Sequence, residues 1–360
     1  MVVGWRVHRL REDCVDIRRA NKTMAGERYW FFRYMPPDVR VEVVGIPAPL
    51  EANRWSRLGL HNLWQCVPVL ASMRRFDVIL SHHMGSGFLL AGVRRLLGRA
   101  TPPHVIIDVG LPQFVDPSRG ARRRLARYIL GCTDAIVYHA RVQEGFYRTL
   151  GLPSVRHAFI PFGIDPQEFP PLEDTPPGDY IISAGDGARD YDTLVQASTQ
   201  LSIPTQAVSQ RYRPARGGLP DHVTFRGYTP ISELKRMIAA SRLVVLPLQN
   251  VPVSCGHSVL LQSMAMGKAV VVSRVPGVAD YVVDGETAVL CEPGDAQDLA
   301  DKVSALLRHP ERARRIGESA RQALLRDYTE ERMAQRIHAV LEDVVARRKR
   351  GEAMKARRTE

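Results

Sequence analysis

Five cysteines, at positions 14, 66, 132, 255 and 291, share no C-x-x-C spacing. That count excludes a zinc framework and a disulfide scaffold, and a reducing compartment is the default. Long apolar runs are missing too. The longest, Leu243–Leu248, is near-continuous over about six residues, against the roughly 20 that a membrane span needs. The stretch Met1–Glu12 has no apolar core between its arginines, so no signal peptide is expected. Aromatic residues are 7% and do not interleave with the basic clusters, which argues against a nucleic-acid face. No paired-aspartate motif suggests a metal clamp, so no metal and no other cofactor are expected. What is present is ordinary globular composition, 45% hydrophobic and 24% charged. A length of 360 residues suits two domains.

The net charge of +12 is unevenly spread, with +11 in residues 1–165, −2 in 166–340 and +3 in 341–360. Arginines cluster at 94, 95 and 99, at 119, 122–124 and 127, and with a lysine at 347–350. Solvated helix faces account for such clusters. A sharper reading gives the first half an acidic partner: an anionic membrane surface, or an acidic or lipid-linked acceptor. The expected location is the cytoplasm, with peripheral contact on the inner face of a membrane as an option.

Short apolar runs alternate with amphipathic stretches, which is the pattern of an α/β fold with parallel sheets. In the first half the expected strands are Val2–Val7, Val41–Val44, Val78–Ser81, Val105–Val109, Ala135–Tyr138 and Ala158–Pro161. Helices are expected at Glu27–Tyr34, Leu60–Arg75, Gly87–Leu97 and Arg119–Leu130. Within Trp55–Arg75 a core helix and a peripheral membrane helix compete, and Pro68 interrupts the pattern. The segment Asp165–Asp179, with five prolines, reads as a linker. Boundaries follow at 1–164, 165–179, 180–328 and a terminal helix with basic tail at 329–360. In the second half the expected strands are Tyr180–Ala184, Thr205–Val208, Val223–Arg226, Leu243–Pro247, Ala269–Ser273 and Ala288–Leu290. Helices alternate with them from Asp190 to Arg326.

Two strand-to-helix loops have the glycines a phosphate site needs. In Ser183–Asp190, Gly185 and Gly187 permit a tight turn and close approach, and Arg189 brings a guanidinium to the helix mouth. The plain alternative is a βα turn with Asp190 as N-cap and Arg189 in solvent. In Ser254–Ser258, Gly256 precedes a short apolar helix whose first N–H groups and dipole suit an anion. Gln262 lies one turn beyond Ser258. The plain alternative is a capped core helix. After a third strand, Gly227 and Tyr228 offer backbone and a flat ring to a planar base, or a simple turn aromatic.

Together these segments resemble the retaining family 4 glycosyltransferases of GT-B fold (glycosyl transferases group 1). Phe159–Asp165 (FIPFGID) resembles the family's IPNGVD, Gly185–Leu194 (GDGARDYDTL) its glycine–basic–DTL loop, and Ser254–Asp295 its donor-binding region. The resemblance is firm over about 159–340. In the first half it is carried only by Ala25–Arg28 and His82-His83. It implies an α/β chain of two Rossmann-like domains facing across a cleft, with the last helix crossing back to the first. The N-terminal domain would take a hydroxyl acceptor and the C-terminal one a nucleotide-diphosphate sugar.

By the resemblance Arg189 takes the place of the family's clamp lysine. Gly185, Gly256, His257, Ser258 and Val259 line the diphosphate. Gly227, Tyr228 and Gln262 hold the nucleoside, and Ser254 meets the donor sugar. Ser254 and Gln262 replace both carboxylates of the family's E-x7-E motif, and Asp186 stands where a basic residue is usual. The implied reaction is a retaining, metal-independent hexosyl transfer with His82, His83 and Asp108 as catalytic candidates. The alternatives are a catalytically silent nucleotide-binding partner subunit, or another GT-B enzyme such as a nucleotide-sugar epimerase or a phosphorylase.

Overall fold

The computed structural model describes residues 1–3, 8–9, 24–25, 30–45, 60–82, 84–97, 101–113, 115–172, 174–201, 203–214 and 218–359. The chain forms two compact units, Met1–Ile160 with Glu331–Glu360, and Pro161–Glu330.

The first unit holds a parallel sheet of β1 (Val2–Val3), β2 (Ile79–His82), β3 (His104–Asp108), β4 (Ala135–Tyr138) and β5 (Arg156–Phe159), in that spatial order among the described residues. Strands β2, β3 and β4 are buried along their whole length, which accounts for the apolar runs Ile79-Leu80, Val105–Ile107 and Ala135–Val137 within them. Helices α1 (Leu60–Ser72), α2 (Met84–Leu97), α3 (Gly120–Leu130) and α4 (Val142–Leu150) fill the connections. Right-handed crossovers between strands in this order put these helices on one face, and α1 packs on α2 and α2 on α3.

The second unit has the order β8 (Val223–Arg226), β7 (Thr205–Val208), β6 (Ile181–Ala184), β9 (Leu243–Leu246), β10 (Val270–Ser273), β11 (Val289–Cys291), all parallel. Its helices are α5 (Tyr191–Ser198), α6 (Ile231–Ala240), α7 (His257–Ala265), α8 (Ala296–Arg308) and α9 (Pro310–Asp327). One apolar cluster joins α7 and α9 to the sheet through Leu260, Leu261, Met264 and Leu324. A second joins α5 and α8 through Leu194, Ala197, Leu299 and Val303. The unit is therefore doubly wound. Its strand order reverses between β6 and β9, the crevice where such sheets take ligands.

Several expectations change. Val41–Val44 is not a strand, only a single bridge from Val44 to Val2. The described part of Glu27–Tyr34 is a five-residue 3-10 turn, Trp30–Tyr34. Leu60–Arg75 breaks at Ser72, after which Met73–Arg75 is 3-10. The strand expected at Ala158–Pro161 runs from Arg156 to Phe159. Helix α4 was not expected, although Phe146, Tyr147 and Leu150 form its buried stripe and Gly151 (φ 74°) ends it. The proline-rich stretch 165–179 does not hang free. Phe169 and Ile164 join the second unit's core, and the Gly178 N–H donates to Ala240 O. The last helix, α10 (Glu330–Thr359), continues into residues of the first unit, where Asp343 pairs with Arg156 and Arg347.

The first unit buries two neutral imidazoles. Burial and the Arg94 charge lower His104 to a pKa of about 3, and burial lowers His139 to about 4. Both take up a proton on unfolding below the ordinary histidine value, so stability is intact above about pH 6.5 and falls as pH drops toward about 4. Each contributes a slope of up to about 1.4 kcal/mol per pH unit in that window. Urea denaturation at stepped pH should show this, and His104→Gln with His139→Gln should flatten it. An equal slope in the variant would contradict the assignment.

Candidate functional site

The loop after β6 is built around one cation. Gly185 has φ 105°, and its N–H donates to Val208 O, so the chain turns back over β7. A Cβ on Gly185 would lie 2.7 Å from Arg189 Nη2. The guanidinium packs across that bare α-carbon, which only glycine allows. Arg189 Nε donates to Ala184 O at 2.8 Å and Nη1 to Gly187 O at 2.9 Å. Burial lowers its pKa from the ordinary arginine value, and it remains cationic at neutral pH. Among the described residues, no carboxylate lies within ion-pair distance of it. Two neutral carbonyls thus hold a half-buried charge, with Tyr191 and the Asp186 carboxylate also contributing to its surroundings.

Asp186, the residue that looked unfavourable beside a diphosphate, points elsewhere. Its carboxylate accepts from Ser209 Oγ and from the N–H groups of Gln210 and Arg211, and so caps the loop after β7. Asp190 is the N-cap of α5, accepting from Thr193 N and Oγ1. The capped turn and the placed guanidinium coexist.

The second loop lies beside the first. Asp190 N–H donates to Pro247 O and Gln249 N–H to Ala188 O, an antiparallel bridge between Arg189 and Leu248. Gly256 is left-handed (φ 76°), its α-carbon facing Leu248, and it starts α7. The first backbone bond of that helix is Leu260 N–H to Gly256 O, so the amides of Ser258 and Val259 stand at the helix start, ahead of the backbone ladder. The His257 side chain turns inward. Its Nε2 lies 2.5 Å from Gly277 O and its ring 4.2 Å from that of Tyr281. A carbonyl only accepts, so Nε2 carries the proton and the Ser254 hydroxyl donates to Nδ1 at 2.8 Å. Gln262 is half-buried on α7. Tyr228, 79% exposed, follows β8, two strands from β6 and so roughly 10 Å across the sheet edge. A cavity of about 1040 Å³ elsewhere in this unit, between residues 279–287 and α9, mixes Arg312, Arg315 and Arg326 with Glu286 and Glu318.

In the first unit, His82, Asp108 and His139 follow one another along the carboxyl edge of β2, β3 and β4. His82 is buried edge-on against Trp30 (5.0 Å), with the His139 ring at 6.2 Å. Trp30 has φ 45°, strained for a non-glycine residue. His83 lies outside the described residues. Asp108 is fully buried, which raises its pKa. It accepts from Gly110 N, Leu111 N, Gln143 Nε2 and Tyr147 OH. Those donors fix the loop after β3. His139 was missed by sequence reading. It donates from Nδ1 to Ile160 O, and its one signal was its place directly after a strand.

Residues 213–323 match the model described as "Glycosyl transferases group 1". Over 93 residues the chain is 33% identical to N-acetyl-alpha-D-glucosaminyl L-malate synthase of Bacillus anthracis, covering 26% of this chain and 24% of that protein. It is 31% identical to alpha-D-kanosaminyltransferase of Streptomyces kanamyceticus over 160 residues, 41% of each. The chain thus spans about a quarter to two fifths of the length of these curated relatives. In fold it is similar to sucrose-phosphate synthase from Thermosynechococcus elongatus, with a TM-score of 0.70 at 21% identity over 87% of this chain and 86% of that one. Anabaena HepE in complex with UDP-glucose gives 0.67 at 17% identity over 85% and 86%. The two parallel-sheet units share the fold of these structures, the GT-B fold.

Gly185→Ala should force the guanidinium off its seat and strain the turn. The expected loss is about 1–3 kcal/mol in urea denaturation. An unchanged midpoint would show that Arg189 does not pack there.

Proposed function

We propose that the chain is a retaining glycosyltransferase that moves a hexosyl group from a nucleotide-diphosphate sugar to a hydroxyl acceptor. The observation that carries the reading is Arg189, a half-buried cation with no carboxylate within ion-pair distance among the described residues, at the switch point beside the start of α7. As the bond from the anomeric carbon to the diphosphate breaks, its electron pair leaves with the phosphate oxygen. The transition state is oxocarbenium-like. Arg189 and the amides of His257, Ser258 and Val259 face the growing charge, already oriented. No step calls on a metal. The acceptor oxygen bonds to the anomeric carbon, and its proton passes to the departing phosphate.

Gln262 holds the ribose through an amide that both donates and accepts. Gly227 and Tyr228 border the base. The Ser254 oxygen, its proton committed to His257, accepts from a sugar hydroxyl. The first unit binds the acceptor, with His82 as its catalytic candidate, and its basic face offers peripheral contact with a membrane in the cytoplasm. The exchange of both motif carboxylates for Ser254 and Gln262 supports a second reading, a silent nucleotide-binding subunit.

Thermal shift with UDP, GDP, ADP and dTDP, followed by hydrolysis of the matching sugar nucleotide, separates these. Stabilisation with turnover supports the transferase, stabilisation without turnover the silent subunit, and no stabilisation rejects both. Arg189→Ala should weaken the nucleoside diphosphate by roughly 10- to 150-fold, about 1.5–3 kcal/mol, and leave the free nucleoside nearly unchanged. Equal losses in calorimetry would remove Arg189 from the clamp.

A further inference from the structure

Helix α1 contains no charged residue. Asn62, Gln65, Cys66 and Val69 face the first unit's core, while Leu63, Trp64 and Val67 are 51%, 61% and 60% exposed. These three follow one helical stripe that continues through exposed Pro68 and Ala71. On the neighbouring helices, Leu96 (85%) lies in the last turn of α2, and Leu125 and Tyr128 are exposed on α3. Arg95 lies 4.3 Å over the Tyr128 ring and ties those two helices together. Right-handed crossovers give the three helices a common outward side.

That side has a one-sided charge. None of the three helices contains Asp or Glu. Arg122, Arg124 and Arg127 on α3 are exposed, as are Arg74 and Arg75 directly after α1. Arg94 does not belong with them, since it is buried and paired with Asp134 at 3.0 Å. Asp116, just before α3, is engaged by Ser118 and Arg119. A nucleic acid would satisfy these arginines but leave Leu63, Trp64 and Val67 in water. An interface that takes apolar side chains at its acyl boundary and guanidinium groups at its phosphates satisfies both sets. Among the described residues no helix is long and apolar enough to cross a membrane, so such contact is lateral.

We propose that the outer surface of α1, α2 and α3 seats the first unit on an anionic lipid bilayer. This deepens the membrane clause of the proposed function and is independent of the donor site. The test sediments the full chain with vesicles of phosphatidylcholine alone and of phosphatidylcholine with phosphatidylglycerol at two to one. At low salt the protein should pellet with the mixed vesicles only, and high salt should release it. Arg122→Gln with Arg124→Gln should lower partitioning about thirtyfold. Trp64→Glu with Leu96→Glu should lower it at least about tenfold while the melting curve and the nucleotide-induced shift stay as in the parent. Absence of the protein from the mixed-vesicle pellet overturns the proposal, as does wild-type binding by both variants. So does a wild-type dimer in light scattering that Trp64→Glu with Leu96→Glu makes monomeric, because a second copy then covers the face. Vesicle binding without any nucleotide-induced shift would sink the donor reading and leave this one standing.

Discussion

A guanidinium held across a bare α-carbon organises the second unit's ligand edge. Arg189 is kept by two carbonyls of its own turn rather than by an acid. A carbonyl cradle fixes the direction of the guanidinium without the close ion pair that a carboxylate in contact would make. The turn that makes this cradle needs a left-handed glycine at its start, and the helix that follows needs Asp190 as its cap. Three neighbouring positions therefore serve one charge, and each would be unremarked without the others.

The two units treat charge differently. The second is close to neutral, and its cation of consequence is half-buried at a strand end. The first has its excess on the outside, spread over helices without acids, while burial keeps the imidazoles of His104 and His139 neutral and the buried Arg94 is paired with Asp134. A buried guanidinium is specific for geometry because its donors are fixed. An exposed arginine field is indifferent to it and responds to the sign and density of whatever lies opposite.

Much of the architecture was legible because strands buried on both faces are read as continuous Val, Ile and Leu. The doubly wound second unit, with glycine turns after β6 and β9, followed from that pattern. Val41–Val44 misled because β-branched residues alternate there without a partner strand beyond Val2. Helix α4 escaped because Gln143, Glu144 and Gly145 dilute its apolar stripe. The prolines of 165–179 suggested a free tether, yet Phe169 found a place in the core. At the site, backbone positions were readable and side-chain directions were not. Asp186 turns to Ser209 and His257 to Gly277, and both partners lie at least twenty positions away in sequence. Arg94 looked like part of a cationic surface, and only Asp134, brought close by folding, shows otherwise.

The backbone bridge joining residues 188–190 to 247–249 has a consequence for how this edge tolerates change. Two segments sixty positions apart share a register of two amide bonds. Inserting one residue in either segment would displace that pairing by one strand step, roughly 3.3 Å. The guanidinium and the start of α7 would then no longer keep their present spacing. Side chains along these loops can vary in size and polarity, but the lengths of the loops cannot drift independently.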